Sequence, residues 1–370
     1  MLQLQEFILT HDNWEELLSE EPYFLKITRD NGYVMFKYNQ LCSDFSIPLV
    51  REARGIIFKE SNWKCVCEKF TKFGNYGESY VPDIDWSTAS VQEKVDGSLI
   101  GIFYDDGCWH ICTNGMINAF ETETGNVKYK NFGELTLAAI RAVFPNERYF
   151  FELLDPSCTY MFELVSPYNR VVIPYEEIKL YFLGIRDMGD GEEWNPEDSD
   201  LRYFFEMPKR YNLHSLEEVQ DAALALPWSE EGYVVCDANF NRVKIKSPKY
   251  VMAHFARNNN VMTDKRLIDV ILAGEVDEFC IYADEYADRI HEIQRRMDTL
   301  KYFALKKYEQ YKSITDRKEL AAKIIHLPVT VRGFVFKATE FQTTWEEYTS
   351  SWSLEKWEKI LRLKEEDYVV

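Results

Sequence analysis

The hydrophobic pattern of this chain changes period once, near residue 250, and that change limits the architectures open to it. Before it, β-branched and aromatic residues gather in runs of strand length at 55–58, 99–104, 149–151, 171–173, 180–183 and 233–235. Asp105-Asp106-Gly107 stands between two apolar stretches and marks a hairpin turn. Helical patterns are fewer in this half: 131–143 is one and 215–225 another. After Lys249 the spacing differs: Ala283, Ala287, Ile290, Ile293, Met297, Leu300, Phe303 and Ala304 repeat at helical intervals, with charges on the other face. Residues 316–325 and 353–363 read the same way, and Ser353 is placed to cap the last helix. The expected fold class is α+β: an antiparallel-sheet domain over residues 1–250, followed by an all-helical domain over 251–370.

Charge follows the same division. The net charge is -19 over 370 residues, which argues against a chain that coats nucleic acid along its whole surface. Residues 1–250 hold 24 basic and 41 acidic side chains, whereas residues 251–370 hold 19 and 21. Within 301–337 there are nine basic residues against three acidic. Such a strip can hold a polyanion in a salt-sensitive way, or can be an ordinary solvated helix face. The eight cysteines form no CxxC pair. Cys108 and Cys112 read as buried thiols of strand-like sequence, and free thiols suit a reducing compartment. The first residues lack a basic stretch followed by an apolar one, and no apolar run approaches a membrane span. The expected site of action is the cytoplasm.

The chemistry centres on Glu93-Lys94-Val95-Asp96-Gly97-Ser98. A lysine amine is a covalent nucleophile once it is deprotonated. Asp96-Gly97 reads as a turn that presents Lys94 at a strand end, ahead of the run at 99–104. Taken alone, this is equally a surface hairpin with an exposed lysine. Lys244-Ile245-Lys246 alternates, so both amines point to one face of a strand. There they would crowd a third amine, disfavour its charged form, and attract phosphate. Their other reading is an edge strand protected by lysines. Glu231-Gly232, just upstream, offers a carboxylate that could position a hydrated divalent metal.

In this order, Lys94, Phe162-Glu163, Glu231-Gly232 and Lys244-Ile245-Lys246 resemble the motifs of the covalent nucleotidyltransferases, the ATP-dependent ligases and mRNA capping enzymes. Three further strings narrow the resemblance to the phage-type RNA ligase 1 family. They are Arg51-Glu52-Ala53-Arg54-Gly55-Ile56-Ile57-Phe58, Lys72-Phe73-Gly74-Asn75-Tyr76-Gly77-Glu78 and Glu163-Leu164-Val165-Ser166-Pro167-Tyr168-Asn169-Arg170-Val171-Val172. The resemblance implies a nucleotidyltransferase (adenylyltransferase) domain with a helical domain behind it. It also implies ATP and Mg²⁺ or Mn²⁺ as cofactors. By matching position, Lys94 would be the adenylylated nucleophile, and Arg54 and Lys72 would bind the ATP phosphates. Tyr38 would line the nucleotide pocket, Glu163 would contact the ribose, and Glu231 would help hold the metal. Lys244 and Lys246 would hold the α-phosphate. Asp96 and Gly97 complete the lysine motif, and Tyr250 matches a position important for activity. Asp277 matches a metal position in the helical domain and reads equally as a solvated carboxylate. One departure stands out: this chain has Asn114 where the family usually has a basic residue.

The implied reaction joins a 3′-hydroxyl RNA end to a 5′-phosphate through lysyl-AMP and RNA-adenylate, in repair of broken RNA such as a cleaved tRNA. The expected enzyme is a monomer without membrane association, acting in a host cytoplasm if the source is viral. A DNA ligase or capping guanylyltransferase is the alternative, but those families follow the last lysine motif with a small β-barrel. A non-catalytic RNA-binding protein on the same scaffold is a further one, opposed by the survival of all five motif residues together.

Overall fold

A computed structural model describes residues 1–256 and 263–361. They divide into two compact units, Met1–His254 and Phe255–Val370. In chain order the strands are β1 (Lys26–Asp30), β2 (Tyr33–Lys37), β3 (Arg54–Lys59), β4 (Cys65–Cys67), β5 (Ser90–Glu93), β6 (Ser98–Asp105) and β7 (Cys108–Thr113). They continue with β8 (Cys158–Val165), β9 (Lys179–Asp187), β10 (Glu193–Trp194), β11 (Arg210–Tyr211), β12 (Gly232–Cys236) and β13 (Arg242–Lys246). All lie in the first unit. They form three sheets, ordered β1-β2-β3-β4, β10-β9-β8-β6-β7 and β11-β5-β12-β13. Every pairing between these strands is antiparallel.

Side-chain alternation decides how the sheets stack. Val34, Phe36, Ile56 and Phe58 turn towards the N-terminal helices Gln3–Thr10 and Trp14–Ser19, burying Leu4, Ile8 and Leu18. Their neighbours Met35 and Ile57 point the other way and meet Phe103 and Cys112 of the second sheet. On that sheet's far face, Ile100, Ile102, Phe162 and Phe182 pack on Leu135, Ala139 and Ile140 of helix Phe132–Val143. The third sheet buries Val91, Val235, Val243 and Ile245 against Val219 and Ala223 of helix Leu216–Ala225. Asn131 and Ser215 cap these two helices by accepting the N–H of Glu134 and Glu218. The hairpin expected at Asp105-Asp106-Gly107 is present, with Asp106 and Gly107 both at positive φ, as a tight two-residue turn requires.

Two strand expectations are corrected. Residues 149–151 belong to a helix, Glu147–Glu152, capped by Asn146 and braced by the Arg148–Glu152 pair. A three-residue apolar run carries no period of its own, and here only Phe150 is driven into the core. Residues 171–173 are irregular, because the N–H groups of Val172 and Ile173 go to the Asp96 carboxylate and not to a ladder. The cysteine reading also changes: Cys112 is buried, but Cys108 sits exposed at the hairpin end.

The described part of the second unit is helical throughout. The helices are Asp264–Ala273, Val276–Tyr282, Ala287–Tyr311, Arg317–Ile324, Val329–Phe341, Trp345–Thr349 and Leu354–Leu361. Ile290, Ile293, Met297, Leu300 and Ala304 are buried, the spacing seen in the sequence. Phe334, Trp345, Tyr348, Trp352 and Trp357 pack in a chain of ring contacts. Ser353 Oγ accepts the Lys356 N–H at 3.3 Å, and the expected end of that helix, 362–363, lies outside the described residues.

Candidate active site

The lysine motif lies where the chain leaves the third sheet and enters the second. Glu93 ends β5, Ser98 opens β6, and Lys94 to Gly97 make the crossing. Lys94 N–H donates to Gly232 O at 2.9 Å, tying the crossing to β12. Asp96, 3% exposed, is its anchor. Its Oδ2 accepts the N–H of Val172 at 2.9 Å and of Ile173 at 2.7 Å, and its Oδ1 accepts the Tyr250 hydroxyl at 2.7 Å. Gly97 passes so close to β8 that a Cβ there would stand 2.5 Å from Leu164 O. Gly232 has φ +141 and would place a Cβ 2.3 Å from Ile245 O. Both positions therefore demand glycine.

With the crossing fixed, Lys94 faces a cavity of about 590 Å³. Arg54, Lys94, Asn114, Glu163, Lys244 and Lys246 all line it. The two strand lysines share a face because Val243 and Ile245 take the buried one. Glu231 sits between amines: its Oε1 is 2.7 Å from Lys94 Nζ and 3.4 Å from Lys246 Nζ, and its side chain is 4% exposed. Glu163 comes in from β8, paired in register with Leu99. Burial pushes its carboxyl up to about 7; Lys94 opposes that rise and Glu231 adds to it. Arg54 opens β3 with its guanidinium 5.2 Å from the Phe73 ring, and its Nη1 is buried without a hydrogen-bond partner. An orphaned buried guanidinium nitrogen in a cavity is what an anionic ligand would complete. Asn114 presses its backbone oxygen against Gly55, where a Cβ would come within 2.6 Å, and its Oδ1 is also buried unpartnered.

Some expected residues stand elsewhere. Lys72 does not line this cavity. It lines a second one of about 610 Å³, with its amine 4.2 Å from the Phe45 ring and 4.8 Å from the Tyr38 ring. Tyr38 packs edge-on to Phe45, with ring centroids 5.0 Å apart, and is not in the lining of the first cavity. The string around Lys72 instead borders the site through its backbone. Gly74 O accepts the Lys244 N–H at 2.9 Å, and Tyr76 N–H donates to Lys244 O at 2.8 Å. Asp277 belongs to the second unit, exposed in the first turn of helix Val276–Tyr282. The residue missed from the sequence is Arg242. It continues the alternation of Lys244 and Lys246 by one step and lines both cavities. Its guanidinium grips both carboxylate oxygens of Glu193.

A hydrated divalent cation fits what is present. No group of three or more His, Cys, Asp or Glu side chains is placed to hold a metal among the described residues. Mg²⁺ does not need such a cage, since it keeps most of its waters and takes one or two carboxylates plus phosphate. Glu163 lines the cavity, and Glu231 stands 2.7 Å from the Lys94 amine that does; these are the motif carboxylates that would position the ion.

Residues 52–250 match the model of the RNA ligase family. The chain is 29% identical over 289 residues to a putative bifunctional polynucleotide kinase/RNA ligase of Autographa californica nuclear polyhedrosis virus, covering 74% of this chain and 40% of that protein. It is 27% identical over 337 residues to an RNA ligase of Rhodothermus phage RM378, covering 72% of this chain and 76% of that one. Among solved structures, an archaeal ATP-dependent RNA ligase aligns at 15% identity and a TM-score of 0.46, over 78% of this chain and 77% of that one.

Proposed function

The chain belongs to the RNA ligase family, and from that premise we propose that it is an ATP-dependent RNA ligase with Lys94 as its nucleophile. The observation that carries the reading is the Lys94–Glu231–Lys246 arrangement inside a cavity that also holds the unpartnered Arg54 Nη1. In the first step Lys94 Nζ attacks the α-phosphorus of ATP, the N–P bond forms, and the bond to pyrophosphate breaks. Glu231 orients the amine and is its nearest acceptor for the proton. Lys244, Lys246 and Arg54 meet the negative charge of the phosphates, and fixed charge of this kind supplies much of the rate in phosphoryl transfer. Glu163 is placed to contact the ribose. A bound Mg²⁺ or Mn²⁺ would supply neutralisation of the α-phosphate, with Glu231 its candidate carboxylate; Asp277 is a separate metal candidate of the helical unit. AMP then passes to a 5′-phosphate RNA end, and the 3′-hydroxyl of the other end attacks and expels AMP.

The second unit favours this over a DNA ligase or capping enzyme, because its described residues form helices and no barrel. Its surface is the candidate for selecting a structured substrate such as a cleaved tRNA. No described helix is long and apolar enough to cross a membrane, in keeping with action in a cytoplasm, that of a host if the source is viral. We take the active form to be a monomer. The test is joining of 5′-phosphorylated RNA with Mg²⁺ and ATP, GTP or NAD in parallel. Joining with ATP alone supports the assignment; joining with GTP or NAD but not ATP, or no joining at all, overturns it.

A further inference from the structure

The second cavity adjoins the first, and Phe73, Phe240 and Arg242 line both; Lys72, matched by resemblance to the ATP phosphates, lines only the second. Its lining combines cations, aromatic faces and amides with two carboxylates: Lys72, Arg186, Tyr80 and Asn241 stand around the shared Phe240 and Arg242, with Glu192 beside them and Glu193 bound to Arg242. One cation here lacks an anion, and a second keeps an unused donor. Lys72 is 9% exposed and has no carboxylate partner among the described residues; its amine rests among the Phe45, Tyr38 and Tyr80 rings and reaches only Gln40 Oε1, at 3.5 Å. Arg186 is paired through its other nitrogens with Glu68 at 3.6 Å and Glu193 at 3.4 Å, but leaves Nε buried without a partner.

Phe240 sets this cavity apart from an ordinary polar cleft. It occupies the turn between β12 and β13 with φ +59, a left-handed conformation that a bulky side chain rarely adopts. The turn is held there by Asp237, whose Oδ1 accepts the N–H groups of Asn239 at 2.9 Å and Asn241 at 3.0 Å. Asp237 Oδ2 accepts Asn241 Nδ2 at 3.0 Å. The ring gains no place in the core of its sheet, which lies on the other face with Val235, Val243 and Ile245. It stays half-buried where the cavities meet, with the Arg242 guanidinium 5.5 Å from its centroid. A strained aromatic, over-determined by its turn and left facing a cationic cleft, is better explained by a ligand than by packing.

We infer that the second cavity receives the terminal nucleotide of a single-stranded RNA end, with its base stacked on Phe240 and its phosphate beside Lys72 and Arg186. Cations that track a backbone and rings that take bases are the means by which single strands are held without regard to sequence. This rests on the RNA ligase reading. It adds a place for an RNA end beside the nucleotide cavity, so that end and lysyl-AMP meet across the Phe240–Arg242 border. The end bearing the 5′-phosphate and the end bearing the 3′-hydroxyl share this chemistry.

The test uses Phe240→Gly in the full chain, because glycine accepts the positive φ and removes only the ring. Lysyl-AMP formation is measured with ATP alone. Sealing of 5′-adenylylated RNA to a 3′-hydroxyl acceptor is measured with each strand varied in turn. The expected result is a melting temperature no lower than wild type, lysyl-AMP formation at the wild-type rate, and a KM for an RNA strand raised about tenfold or more, the worth of one base stack. Phe240→Tyr restores that KM. A rise for the adenylylated strand assigns the cavity to the 5′ end, a rise for the acceptor to the 3′ end, and a rise for both to the junction. Unchanged RNA KM values overturn the inference. So does a raised KM for ATP in lysyl-AMP formation, which would give the ring and the cavity to the triphosphate tail. Absence of lysyl-AMP in the wild type would instead count against the ligase reading itself.

Discussion

Glu231 and Glu163 both act on Lys94 but live under opposite conditions. Glu231 is clasped by Lys94 and Lys246, so its charge is compensated where it stands. Burial raises the Glu163 carboxyl to about 7. A carboxyl with a folded pKa above its unfolded value costs nothing below the unfolded pKa, and destabilises progressively as pH rises towards the folded one. Stability should therefore fall at this site between about pH 4.5 and 7, and Glu163→Gln should remove that fall. In thermal melts at pH 5.5 and 8, the variant should gain about 1–2 kcal/mol on wild type across the interval; parallel curves would deny the raised carboxyl. The strand lysines give a second expectation. Lys246→Ala strips one of two cations from Glu231 and one from the phosphate site. It should slow lysyl-AMP formation by about 10²–10³ in rapid-quench assays, the usual cost of a lost preorganised charge. Wild-type rates in both Lys246→Ala and Lys244→Ala would reduce the pair to edge-strand protection.

At the scale of elements, the crossing between β5 and β6 depends on Asp96 more than on any strand contact. One buried carboxylate satisfies two backbone N–H groups and the Tyr250 hydroxyl. Tyr250→Phe should cost about 1–3 kcal/mol, and Asp96→Ala more, since it orphans three donors at once. Both should also impair lysyl-AMP formation, which separates a positioning role from a stabilising one: denaturant midpoints and adenylylation rates should fall together. A normal adenylylation rate in a folded Tyr250→Phe protein would contradict the clamp. Asp96 also explains why part of the fold escaped the sequence. Residues 171–173 carry a strand's side chains, but their hydrogen bonds are claimed by a carboxylate some 76 positions away, which no local pattern reveals. Likewise 149–151 is too short to show a period. Long or strictly alternating segments were legible: Lys244 and Lys246 face the cavity as their spacing implied, and the helix Ala287–Tyr311 buries the expected stripe. The same alternation, followed one step back, points to Arg242. Lys72 and Tyr38 were matched by resemblance alone, and spacing gives no sign that their side chains meet in an aromatic cluster with Phe45.

At the scale of the whole molecule, each unit has its own core, and the nucleotide motifs end before His254. The basic strip over 301–337 is spread across three helices. Lys301, Lys312 and Arg317 in it are already paired with Glu346, Glu309 and Glu340. A chain ending at His254 should still form lysyl-AMP but lose its preference for a nicked, structured RNA over a plain single strand. Reversing the charge of Lys306, Lys318 and Lys323 in the full chain should weaken RNA binding and flatten its salt dependence. Equal discrimination by both proteins would give the helical unit another role. The central claim, that Lys94 carries the nucleotide, is tested most directly by incubating the protein with Mg²⁺ and α-labelled ATP and mapping the labelled peptide. The account predicts one adduct, on the peptide containing Lys94, discharged by pyrophosphate and absent from Lys94→Ala, while that variant still seals RNA supplied with a 5′-adenylylated end. An adduct that persists in Lys94→Ala, or that maps to another lysine, would contradict it.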